Sequence, residues 1–491
     1  MRKTLAFFMS AFILFLSLYI CVFATVNSEK ENVVITESYI HGDRKYADKA
    51  DINFKVNYYS HLLWDISYDI AANKVEAGFD ICRQGFQRSF KQTNRFELYG
   101  YSCDFTVSGG TDGTVEYYGY LAEAFKELVA DATPYEEVKK VVNVSDYIDY
   151  YPITLEIDFG DKYRLHSSLG YNNTAEEQLA AQIQDFLRIP VLKNHLVTIS
   201  ATVNESGDIF QSGSSSVASS AESPIYDEYS LYGESVITDD RCLIYFSNKT
   251  YNGKSIDTDE IPGGYGIYCL PYSYSENGDK VIFHGDKLAN IFPVDNEHEI
   301  SQLKLSESGK QIYMITDEGK DCFLTVLDAE NYEVMQRINV SIFENQFAGL
   351  NYIAKDLVVV NLYHEHADAY FTLFTADKNG LLKKEFTSPV YAEIKAEGRD
   401  YTSYIGAEIY ENSVVDAEWD GENLYVTNDF DESNFTAPIE KSGFRLCVYN
   451  KDGLQYYGNY YTSLSAGYDG SYASGYNTRL SDYDIIDITL K

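Results

Sequence analysis

Beyond residue 225 the chain repeats one rhythm of apolar and polar positions. Four apolar runs, at residues 242–247, 311–316, 357–363 and 423–427, combine β-branched and aromatic residues at strand length. Three of them follow another strand-like run and a tight turn, at 303–309, 350–356 and 416–421. Each precedes a third run, at 265–270, 322–327, 370–374 and 444–449. Short turns such as Asp377-Lys-Asn-Gly380 and Asn450-Lys-Asp-Gly453 then open a fourth. The repeating unit is therefore strand, tight turn, strand, variable loop, strand, tight turn, strand, which is a four-stranded antiparallel meander.

A single meander has two faces to bury and two edges to protect. Packing several face to face around an axis buries the faces, and this predicts a C-terminal β-propeller over residues 225–491 in a mainly β chain. The strand-like tail at 483–490 is placed to close such a ring, and 225–238 and 389–411 offer further strands. A two-sheet β-sandwich is the alternative arrangement.

Residues 30–204 read as an α+β domain. Strand patterns occupy 52–58, 63–70 and 96–107. A helix over 117–130 puts Leu121, Ala124, Phe125 and Leu128 on one stripe. Thr133-Pro134-Tyr135-Glu136 has the N-cap, first-turn proline and following acid of a second helix start. Thr174-Ala175-Glu176-Glu177 opens a third, with Leu179, Ile183, Phe186 and Leu187 on one face before Pro190. Strands at 154–159 and 196–203 interleave with these helices. Residues 205–224, centred on Ser212-Gly213-Ser214-Ser215-Ser216, have no apolar periodicity and predict a flexible linker at the domain boundary.

The N-terminus bears on location. Arg2 and Lys3 precede an apolar run at 5–26, which as a helix rising about 1.5 Å per residue would reach roughly 33 Å, enough for a hydrocarbon core. Glu29 and Glu31 follow, so the positive-inside rule places the remainder outside the cell. The run is longer than most signal-peptide cores, which favours a retained signal-anchor over residues 1–28. Cleavage after Ala24 is the alternative and would secrete the chain. Cys21 follows Tyr19 and Ile20 rather than a small residue, a poor match to a lipid-attachment site.

Charge removes several function classes. The 491 residues hold 75 Asp and Glu against 39 Lys and Arg, a net −36. Such a chain does not bind nucleic acid through bulk charge, and only the N-terminal helix is expected to meet a membrane. A hydrophobic content of 45% excludes general disorder. The cysteines beyond the helix form no C-x-x-C pair and read as buried thiols.

The stretch Asp420-Gly-Glu-Asn-Leu-Tyr-Val-Thr-Asn428 resembles the repeats of extracellular β-propeller proteins whose blades carry a Tyr-Val-Thr-Asn core. The resemblance implies a propeller and no particular activity.

In a meander the first–second and third–fourth connections share one end of the strands. Here they are tight. The second–third connections vary, with long ones at 248–264 and 428–442 and short ones at 317–321 and 364–369. Long loops on rigid strands are where binding concentrates. The candidate binding residues are Tyr251, Asp257, Asp259 and Glu260 in the first long loop, Tyr265 just after it, and Asp429, Asp431 and Glu432 in the second. Closely spaced carboxylates with loop carbonyls suit Ca²⁺, although neither stretch matches an EF-hand loop and solvated acids explain them more simply. His364 and His366, two apart on an extended strand, would point the same way toward a metal, but no third ligand is in view and surface histidines at a strand end are the simpler reading.

No nucleophile-elbow, zinc-protease, P-loop or dinucleotide motif occurs, so no catalytic residue is assigned. Tyr456, Tyr457, Tyr460, Tyr461, Tyr468, Tyr472 and Tyr476 alternate with Gly, Ser and Asn and read either as a recognition loop or as strand residues. The expectation is an exported, non-enzymatic binding protein that meets a glycan or a cell-surface protein on its long-loop face. The alternatives are a propeller-type polysaccharide-cleaving enzyme working by carboxylate acid/base chemistry and a structural cell-envelope protein.

Overall fold

The computed structural model describes residues 2–58, 62–81, 95–101, 106–109, 115–118, 121–130, 132–150, 153–166, 174–188, 191, 196–205, 209–216, 233–248, 258, 261–363, 370–389, 393–395, 402–404, 416–431, 442–463 and 483–491. The chain divides into two compact units, Met1–Phe90 with Leu350–Lys491 and Lys91–Gly349.

All four expected meanders are present. The first comprises Gly233–Ile237, Arg241–Phe246 and Gly266–Tyr274, with Val281–Phe283 and Ala289–Pro293 both paired to Gly266–Tyr274. The second is Glu299–Leu305, Gln311–Glu318, Asp321–Asp328 and Val334–Asn339. Phe347–Ala354, Leu357–Tyr363, Tyr370–Ala376 and Leu382–Pro389 make the third. The fourth is Asp416–Trp419, Leu424–Asp431, Ser442–Asn450 and Gly453–Thr462, and Ile35–Gly42 pairs with its last strand.

A fifth meander joins the two ends of the sequence. The C-terminal strand Tyr483–Leu490 pairs antiparallel with Ala50–Tyr58, which continues into Leu62–Asp69 and Lys74–Ile81. The tail is thus a strand, as its pattern predicts, and its partner is Ala50–Tyr58. Residues 50–81 were expected in the α+β domain and instead belong to this meander.

In the first unit the fourth meander is packed on both faces, between the third and the fifth. Along Leu424–Asp431, Leu424 and Val426 pack with Leu357, Val359 and Phe371 of the third meander, while Tyr425 packs with Ile52, Phe54 and Ile66 of the fifth. The next strand divides the same way, with Cys447 and Tyr449 on one side and Leu446 and Val448 on the other. Side chains alternate across a strand, so a sheet buried on both faces needs nearly continuous apolar runs. That is why Leu357–Tyr363 reads Leu-Val-Val-Val-Asn-Leu-Tyr. Tyr456 and Tyr460 are fully buried on Gly453–Thr462, which makes them core strand residues and not a recognition loop. Tyr468, Tyr472 and Tyr476 lie outside the described residues.

In the second unit, the first and second meanders share a core that includes Ile244, Ile267, Ile300, Leu303, Ile312 and Leu327. The first meander's sheet continues through Arg95–Tyr101 into Ile153–Asp158 and Arg164–His166. Helix Thr174–Phe186 forms as expected, whereas the helix expected from residue 117 begins at Ala122 and Val115–Tyr118 is a strand; Leu121, Ala124, Phe125, Leu179, Ile183 and Leu187 are buried.

Two expectations fail here. The signal at Thr133 does not start a helix. Glu136 N–H closes a turn on Thr133 O, and Tyr135, at φ 61°, leaves the helical region. Residues Glu137–Asn143 then form a strand against Leu196–Val203, where Val138, Val141 and Val142 suit a sheet better than a helix. The Ser-rich stretch expected as a linker at 205–224 contains the strand Ile209–Ser216, which completes a three-stranded sheet with the same partner. Its pattern is polar, and backbone pairing with an already buried strand fixes it.

The cysteines Cys242, Cys269, Cys322 and Cys447 are free and buried, and Cys82 and Cys103 lie outside the described residues. Helix Arg2–Glu29 spans the apolar N-terminus.

Candidate functional site

Within each unit the tight turns gather at one end of the sheets and are tied together. In the first unit Lys49, just before Ala50–Tyr58, pairs with Asp420 in the fourth meander's turn at 2.9 Å. The Asp420 carboxylate also accepts the N–H groups of Glu422 (2.9 Å) and Asn423 (2.6 Å). Burial pushes its pKa up, but these donors and Lys49 outweigh that and hold it at about 2.

Beside it, Lys355 of the third meander's turn meets Asp416 (2.9 Å), Glu418 (2.8 Å) and Asp487 (3.1 Å). The buried Asp416 carboxylate additionally accepts Tyr352 Oη–H at 3.1 Å and Ile488 N–H at 2.7 Å. One side chain thereby links the first strands of three meanders. Burial opposes the charge on Lys355, yet the three acids raise its pKa. Every charge in the group has a partner, so the arrangement holds strands and leaves no free acid or base. Only the spacing of Asp416 and Glu418, two apart on one strand face, hinted at it in the sequence.

The turn end of the second unit is built likewise. Arg241 Nη1–H donates to Tyr332 Oη at 2.6 Å, and Ala329 N–H to Lys310 O at 2.9 Å. The first contact joins the first and second meanders, and the other ties two turns of the second together.

The second–third connections therefore leave from the opposite end. In the second unit that end is framed by Asn248, Tyr265, His298, Glu299, Glu318 and Arg337. Asn248 Nδ2–H donates to Asn296 O (2.9 Å) and His298 O (3.0 Å), pinning the loop stem to the entry of the second meander. Tyr265 is buried, and its hydroxyl accepts Ile300 N–H at 2.7 Å. Burial raises its pKa. The structure thus places this candidate binding residue in the packed base of the loop.

The run Gly263-Gly264-Tyr265-Gly266 is a turn leading into a strand. A Cβ on Gly263 would strike the Phe186 and Tyr268 rings, and Gly266 has φ 150°. Glu318 accepts hydrogen bonds from Arg337 and, at 2.9 Å, from Thr316, and His298 Nε2 lies 3.7 Å away. Glu299 accepts from Ser247. The two acids are held by neighbouring donors.

In the first unit the corresponding end is flanked by Tyr363 and Tyr370 and by Asp431 and Ser442. Asp429 and Asp431 were expected in a loop. The strand instead runs through Asp431, with Asp429 opposite Phe444 and Asp431 opposite Ser442. The two acidic candidate groups fall in different units. Tyr251, Asp257, Asp259, Glu260, Glu432, His364 and His366 lie outside the described residues. Among the described residues no three His, Cys, Asp or Glu side chains converge to hold a metal ion.

No protein-family model matches the chain. No curated protein matches it. Among solved structures it is similar to the periplasmic gluconolactonase of Pseudomonas aeruginosa, at 11% identity over 82% of this chain and 93% of that one, with a TM-score of 0.28. A protein from Lactobacillus plantarum is similar at 10% identity over 82% and 92%, with a TM-score of 0.26. The WD40 domain of SCAP from fission yeast is similar at 10% identity over 88% of each chain, with a TM-score of 0.24. Likenesses this low assign no activity.

Proposed function

We propose that this chain is a membrane-anchored, propeller-type binding protein held outside the cell. Its second–third connections would recognise a glycan or another surface protein. The observation that carries the reading is the fourth meander, packed on both faces between the third and the fifth, with the C-terminal strand paired to residues 50–58. Sheet faces used up in packing leave strand ends for recognition, and one set of ends consists of tight, mutually tied turns. The other set carries the long connections. The helix Arg2–Glu29, long and apolar enough through its middle to cross a membrane, supports the anchor.

The test is a glycan and surface-protein array probed with the full chain in detergent. Binding that Asp259→Asn or Glu432→Gln weakens by tenfold or more, without turnover, is the expected result. New reducing ends released from a polysaccharide, and abolished by Glu432→Gln, would replace the reading with the enzymatic one.

A further inference from the structure

Within the first unit, helix Arg2–Glu29 does not end in a tether. Its Phe23 ring stands 5.5 Å from the Phe79 ring, and the Lys30 ammonium lies 4.9 Å over that same ring. Val26 packs against the core cluster that contains Trp64. One short turn, Lys30–Asn32, follows, and Val33 and Ile35 are already buried. Val34 N–H donates to Ser463 Oγ at 2.9 Å, and Ser463 N–H returns a bond to Val34 O at 2.8 Å. A single turn therefore separates an apolar helix from a folded sheet.

The rest of the helix packs on nothing: Phe7, Phe12 and Phe15 are 69%, 63% and 70% exposed. Counting about 20 residues for the hydrocarbon core from Leu5 puts its outer boundary near Ala24. Phe79, in contact with Phe23, then sits at that boundary. It belongs to Lys74–Ile81, the outer edge strand of the fifth meander.

We propose that this edge is seated on the outer surface of the bilayer, with the boundary between acyl chains and headgroups as its partner. The inference rests on the anchor reading above. Aromatic rings favour that depth, and the free N–H and C=O groups of an edge strand can bond headgroups and interfacial water there. Lys74 and Glu76 on this strand pair with each other at 2.6 Å.

Trp64 and Trp419 are the two tryptophans of the chain. Trp64 stands 5.7 Å from Phe79, whereas Trp419 packs on Phe386 of the third meander. The full-length Trp419→Phe protein is reconstituted in phosphatidylcholine vesicles with brominated or plain acyl chains. Trp64 emission is expected to fall by roughly twofold in the brominated vesicles, as befits a ring near the interface. Emission from the Trp64→Phe protein, which retains Trp419, is expected to stay unchanged. Equal Trp64 emission in both vesicles, from protein that floats with them, overturns the seating and leaves the anchor standing. Protein that does not float, or whose mature N-terminus is Thr25, overturns both.

Discussion

Replacing Asp416 by alanine should loosen the first unit more than any exposed charge change can. The carboxylate is 7% exposed and serves Lys355, Tyr352 Oη–H and Ile488 N–H at 2.9, 3.1 and 2.7 Å. Without it, two buried donors on different meanders lose their acceptor, at about 1–3 kcal/mol each. Lys355 keeps Glu418 and Asp487 and is 35% exposed, so its own loss is smaller. The expected destabilisation is about 3–5 kcal/mol, the range for breaking one side of a buried charged group. Asp416→Asn keeps the shape and one acceptor oxygen and should cost about 1–2 kcal/mol. Glu418→Ala, which removes a partly exposed acid, should cost less than about 1 kcal/mol. Both tryptophans, Trp64 and Trp419, belong to this unit. Urea unfolding followed by tryptophan fluorescence therefore reads this unit alone and avoids the mixed transition of a two-unit chain. An Asp416→Ala midpoint equal to that of the native chain, at unchanged slope, would refute the argument that one carboxylate fastens three meanders.

Asp420 sets a pH dependence. Its pKa is held at about 2 in the fold, below its ordinary value, so its stabilising contribution is complete above about pH 4 and disappears as pH falls toward 2. After allowance for solvent screening of the exposed Lys49, roughly 1–2 kcal/mol should be lost across that window and be missing at all pH values in Asp420→Ala, as measured by acid titration of the urea midpoint. Tyr265→Phe should cost about 1–3 kcal/mol in thermal unfolding because the buried Ile300 N–H loses its acceptor; an unchanged melting temperature would free Tyr265 for a binding role.

The meander order was legible because inner strands such as Arg241–Phe246 and Leu357–Tyr363 are buried on both faces and so print apolar runs bounded by turn residues. Asp377, Asn450 and Asp420 were readable as turn residues, and all three cap backbone N–H groups. The fifth meander was hidden. Its strands come from opposite ends of the chain, and no local signal tells residues 50–58 that their partner is 483–490. Ile209–Ser216 was misread for the opposite reason: its order comes from backbone pairing with Leu196–Val203, which side-chain periodicity does not register. At Thr133 a local start signal lost to the β-branched residues that follow it. Asp416 and Lys355 were unreadable as a pair because 61 residues separate them and only stacking brings their strands together.

The same physics limits where a ligand can act. In the first unit, the fourth meander spends one face on the third and the other on the fifth. Its outer edge is paired with Ile35–Gly42, and its turn end is tied by Lys49 and Lys355. What remains is the end from which residues 432–441 depart. On the proposed binding reading, an apolar ligand has no open sheet face there to occupy, so recognition at this sheet would fall to loop side chains and strand-end backbone. Those groups favour hydroxyls and amides, as a sugar or a polypeptide supplies, over a greasy small molecule.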